Sequence, residues 1–157
     1  MLFFILLLLG FLAGFLGTVV MTLVQLLEIF LTGRKTSFTP VLGLAKILRF
    51  DINRLSDKSK NILNYAVHFA YGTFWGFPLA LVIFLGSPPY LSVLLVYFVI
   101  VWVQSFFVLP ILSLAPPVWK WRTKSILTDG FFHFVYALST TFFFRYLLYL
   151  SVVFSLL

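Results

Sequence analysis

Two histidines, His68 and His133, stand deep inside apolar sequence. Imidazole both ligates metals and titrates near neutral pH, so this placement is the first chemistry the chain offers. At matching depth on other apolar stretches, or within a turn or two of the histidines, lie Gln25, Glu28, Asn64, Tyr71, Gln104, Asp129 and Tyr136. A polar group left unpaired in hydrocarbon costs several kcal/mol, so such residues either satisfy one another or have a task. At ~1.5 Å per helical residue, His68 and His133 sit roughly 10 Å above Ile62 and Ile126, with Gln25 at a similar height and Gln104 somewhat deeper. Every apolar stretch thus offers a polar group to one layer.

That layer supports four readings. The first is an interhelical hydrogen-bond network, with bonds worth about 0.6–2 kcal/mol each. The second is bis-histidine haem b, His68 and His133 being the axial ligands and Gly72 and Ala137 leaving room for the ring. The third is a divalent metal held by both imidazoles with Glu28 or Asp129. The fourth is a proton or ion relay leaving through Glu28. The network leads, and no cofactor is expected. No basic pair is placed for haem propionates, and the carboxylates lie near the interface. Ser139 is nearly two turns from His133 without an adjoining acid, and no phosphate loop, dinucleotide fingerprint, nucleophile elbow or zinc-protease helix is present. With no cysteine there is no thiolate chemistry either. The pattern points away from an enzyme.

The elements that must hold these residues are set by composition. Of 157 residues, 62% are hydrophobic and 10% charged, against ~45–50% and ~25% in soluble domains. A chain this short cannot bury so much Leu and Phe in a core, which makes lipid its solvent. Four spans follow, about 2–31, 62–85, 91–114 and 126–150, in a single membrane domain 1–157. The net charge of +7 gathers in two loops, 32–61 and 115–125, while Gly86-Ser87-Pro88-Pro89-Tyr90 carries none. The positive-inside rule makes both basic loops cytoplasmic and puts both termini outside. Basic residues flanking apolar runs argue against nucleic acid as a partner.

In the first loop Thr39 reads as an N-cap with Pro40 at the first helical position. Val41, Leu44, Leu48, Ile52 and Leu55 then recur at helical spacing, with Lys46, Arg49 and Asn53 elsewhere. This predicts an amphipathic helix on the inner membrane face, basic side toward anionic headgroups, or packed against the bundle ends. Trp119 and Trp121 mark the inner interface. Gly10, Gly14 and Gly17 share a side of the first span with Met21, Gln25 and Glu28, and Gly72 and Gly76 recur in the second, which predicts close helix packing within the chain or between copies. Pro110 should bend the third span near its inner end. Arg145 should snorkel to the outer headgroups. His68-Phe69-Ala70-Tyr71-Gly72 and His133-Phe134-Val135-Tyr136-Ala137 form a weak internal echo.

At Gly14-Phe15-Leu16-Gly17-Thr18-Val19-Val20-Met21-Thr22, at Thr32-Gly33-Arg34, and from His68-Phe69-Ala70-Tyr71-Gly72 on to Gly76, the chain resembles a group of small four-span prokaryotic integral membrane proteins of uncharacterised activity. The resemblance implies a fold and carries no activity. The expectation is therefore an all-α integral membrane four-helix bundle in a prokaryotic plasma membrane, with an amphipathic interfacial helix in its first cytoplasmic loop. Its partners would be the lipid bilayer, anionic headgroups, and either further copies or a larger membrane complex. Its role would be that of a non-enzymatic structural or accessory subunit. A haem- or metal-binding electron-transfer or proton-relay protein is the alternative, and a small channel or carrier the third.

Overall fold

The structure is a computed structural model describing residues 2–86 and 89–155. Met1, Ser87, Pro88, Leu156 and Leu157, and with them part of the uncharged loop and the end of the chain, lie outside the described residues. Helices form where the long apolar runs leave no other way to satisfy backbone N–H and C=O groups. They are α1 (Leu2–Thr32), α2 (Thr39–Leu48), α3 (Asp57–Gly86), α4 (Tyr90–Ile111) and α5 (Thr123–Ser155), with single 3-10 turns at Ile52–Arg54 and Val118–Lys120. No strand occurs among the described residues. All but α2 are long and apolar enough to cross a membrane. No more than a third of the most apolar stretch of each is buried, a perimeter that suits hydrocarbon and not water.

The bundle is built around α1, which packs along both α3 and α5; α4 leans on α5, and α3 scarcely meets α4. Small residues explain the first of these contacts. A Cβ added at Gly10 or Gly14 would meet the α3 backbone at Gly76, Gly72 and Thr73, and one at Gly76 would strike the Gly10 carbonyl. At Gly17 it would strike Thr140 of α5, and at Gly72 it would strike Thr18 of α1. The glycine face of α1 is thus divided, its N-terminal part serving α3 and Gly17 serving α5. Thr18 and Thr22 return their hydroxyls to the carbonyls one turn back, Gly14 and Thr18, at 2.7 Å each, so neither adds an unpaired donor to the contact.

Several boundaries move from their expected places. The cap of α2 is Phe38, with Thr39 and Pro40 as its first two helical residues. Arg49 then turns left-handed at φ 55° and Phe50 N–H reaches back to the Ala45 carbonyl. That six-to-one closure stops the helix at Leu48, so Ile52 and Leu55 do not continue its stripe. Ser56, whose hydroxyl accepts from Ser59 N–H at 3.2 Å, starts α3 five residues before Ile62. Ser113, at φ 54°, ends α4 near Pro110 and short of Leu114, with Leu114 N–H on the Leu109 carbonyl and Ser113 N–H on that of Pro110, both at 2.9 Å. In α5 the helix begins at Thr123 and runs unbroken past residue 150.

Candidate functional site

The polar side chains of the long helices fall into separate bonded groups. His68, on α3, meets α1: its Nε2 lies 3.2 Å from Thr22 Oγ1. The Thr22 proton already goes to the Thr18 carbonyl, so the imidazole must donate, which fixes His68 as the Nε2–H tautomer. His133, on α5, turns back on its own helix. Its Nδ1 lies 2.8 Å from the Asp129 carbonyl and 3.5 Å from the Asp129 carboxylate.

Asp129 also reaches α4. Its Oδ2 accepts from the Trp102 indole at 3.1 Å, and Ser105 Oγ lies 3.4 Å away. The indole lies against Gly130, where an added Cβ would come within 2.9 Å of the ring. Deeper in the bundle, Tyr136 donates to the Gly72 carbonyl at 2.6 Å and Tyr97 to that of Trp75 at 2.9 Å, the two phenol oxygens being 3.1 Å apart. Two hydroxyl protons therefore serve three contacts. Trp75 lies in the turn preceding Pro78 and Gly72 one turn earlier, and the proline removes the ladder bond to the Phe74 carbonyl between them.

Tyr71 faces outward, 46% exposed, and donates to Gln104 Oε1 at 2.6 Å. The internal echo thus diverges in use, since Tyr136 is buried and Tyr71 is not. Asn64 is buried but points away from His68: its Oδ1 accepts from Val41 N–H at 3.2 Å and its Nδ2 donates to the Ser37 carbonyl at 3.0 Å. It supplies the first turn of α2 with the cap that Phe38 cannot provide. With Val41 and Ala45 buried and Gly43 against Leu112 and Leu114, α2 is docked on the end of the bundle. Ile47 and Leu48 remain exposed.

Glu28 pairs with Arg34 at 2.8 Å and with Thr32 at 3.2 Å, away from the histidines. Gln25 makes no side-chain hydrogen bond among the described residues. Trp75 Nε1 and Thr140 Oγ1 are buried outside hydrogen-bond geometry. No group of three or more His, Asp or Glu side chains converges among the described residues. Arg145 lies 5.2 Å over the Tyr90 ring. Among the described residues, one surface cavity of about 400 Å³ lies beside Val20, Leu138 and Phe142, and another of about 360 Å³ beside Ile83, Arg145 and Leu148. Neither is lined by the histidines or by the buried tyrosines.

Sequence reasoning passed over Thr22, Tyr97, Trp102 and Ser105. Tyr97 and Ser105 had a readable signal: with Val93 and Val101 they recur every four residues along the buried face of α4. Comparison with protein-family models, with curated proteins and with solved structures finds no match to this chain.

Proposed function

We propose that this chain is an integral protein of a prokaryotic plasma membrane, with both termini outside, working as a structural or accessory subunit rather than a catalyst. The observation that carries the reading is the pairing within the chain. His68 with Thr22, Asp129 with Trp102, and Tyr97 with Tyr136 and two helix carbonyls join helices to one another, and among the described residues these groups line neither of the two cavities above. A substrate site needs convergent polar groups in a pocket. The basic loops support the orientation, and α2 offers Ile47 and Leu48 to lipid beside Lys46 and Arg49 for anionic headgroups.

Cysteine labelling tests the orientation, since the chain has no cysteine of its own. Gly86→Cys, where a Cβ meets nothing within 4 Å, should react with an impermeant maleimide from outside the cell. Lys58→Cys should react only after the membrane is opened. The reverse pattern overturns the topology.

A second reading rests on His133. Its Nδ1 is held by the Asp129 carbonyl and carboxylate, the arrangement that orients an imidazole for ligation through its other nitrogen. His68 would have to release Thr22 to bind through Nε2. Haem b or a divalent metal would then supply electron transfer or Lewis acidity. A Soret band in protein purified from its native membrane, lost in both His68→Ala and His133→Ala, would replace the structural reading with this one.

A further inference from the structure

We propose that the seam between α3 and α4 is where two copies of this chain pair within the bilayer, Gln104 of each copy bonding Gln104 of the other. This rests on the reading of the chain as membrane-spanning. Although consecutive in sequence, α3 and α4 meet chiefly through long side chains, Tyr97 on the Trp75 carbonyl and Tyr71 on Gln104. Tyr97 is buried, whereas Tyr71 faces out.

Gln104 precedes the last residue of α4, Ile111, by seven positions, which puts it ~10 Å along the helix from that end and within hydrocarbon. A carboxamide has two N–H donors and an oxygen that accepts twice. Here Nε2 donates once, to the Val101 carbonyl at 3.1 Å, and Oε1 accepts once, from Tyr71 at 2.6 Å. One donor and one acceptor are left over on a half-open surface. Lipid tails satisfy neither, at a cost that water would not impose.

A second carboxamide related by a two-fold axis satisfies both, because N–H to C=O can be made reciprocally. Glutamine side chains bond across membrane helices in this way. The surroundings suit such a contact. Val96, Ile100 and Phe107, at steps from Gln104 that keep one side of α4, are 53%, 40% and 63% exposed, and Phe74 lies one turn from Tyr71 on α3. Together they form an apolar collar around one amide, and the collar keeps water and headgroups from competing for it.

The test uses single cysteines in the full chain expressed in membranes. Phe107→Cys should crosslink to a dimer with a short bis-maleimide, whereas Leu23→Cys, equally exposed but on α1, should not. Adding Gln104→Leu to Phe107→Cys should lower the crosslinked fraction about tenfold, and Gln104→Asn should restore part of it. Helix content and thermal stability of the Gln104 variants check that the fold is intact. Energy transfer between labelled copies in neutral phosphatidylcholine vesicles should fall on lipid dilution, and faster for Gln104→Leu. Equal crosslinking from Leu23→Cys, no effect of Gln104→Leu in a folded protein, a heterologous partner at Phe107→Cys, or a monomer in concentrated vesicles each overturns the seam. Labelling of Gly86→Cys and Lys58→Cys reports separately on whether the chain spans the membrane.

Discussion

Helix α3 meets α1 and α4 by opposite means. Against α1 it approaches backbone to backbone, through Gly72 and Gly76 on one side and Gly10 and Gly14 on the other. Against α4 it stands off, and tyrosine hydroxyls cross the gap, Tyr97 to the Trp75 carbonyl and Tyr71 to Gln104. In lipid no hydrophobic force separates these solutions. The first relies on dispersion between closely fitted surfaces, the second on hydrogen bonds that lipid cannot replace. Dispersion contacts do not survive the loss of their fit, whereas each hydrogen bond across a gap can fail singly. The two contacts should therefore break differently.

The largest effect is expected at the tight contact. Gly76→Val puts side chain against the Gly10 backbone, which has no rotamer with which to yield, and should cost about 3 kcal/mol, the upper end for overpacking. Reversible unfolding in mixed micelles measures it, and a loss under 1 kcal/mol would mean that α1 and α3 are less closely packed. Gly72→Val should behave similarly but more mildly, because Thr18 is a side chain and can move in part.

Next come the tyrosines. Tyr97→Phe and Tyr136→Phe should each cost about 1 kcal/mol, while the double variant should cost less than their sum, since two protons are shared among three contacts. Strict additivity in a double-mutant cycle would show that the hydroxyls act independently.

Asn64→Leu should leave the long helices in place and release α2. Loss of its bonds to Val41 N–H and the Ser37 carbonyl leaves a buried donor worth about 1–3 kcal/mol. Hydrogen exchange should rise at 41–45 and not along α3. The smallest effect belongs to Glu28→Gln, whose pairing with Arg34 is partly exposed. It should change stability by less than about 1 kcal/mol and leave His68 and His133 unaffected.

The echo of His-Phe-x-Tyr-small shows where legibility stops. Equal spacing on α3 and α5 puts Tyr71 and Tyr136 at equal heights, but height along a helix says nothing of rotation about its axis. Tyr136 turns inward to Gly72, whereas Tyr71 turns outward to Gln104. Glu28 and Asn64, read from the sequence as members of one layer, are taken by Arg34 and by α2, partners that are remote in pattern and close only after folding. Arg49 and Ser113 end their helices in a left-handed conformation usually left to glycine, so no stop signal stood in the sequence at either place.

What composition and periodicity alone determined is the set of long apolar helices, the basic character of the loops between them, and the small-residue faces by which α1 meets its neighbours. These follow from transfer free energy and from helical geometry, both local properties of a segment. Which polar group bonds which, that α1 stands at the centre, and that α3 and α4 part company were decided by the tertiary structure alone. Those depend on how each helix is rotated about its own axis, and that rotation is chosen by all the contacts together.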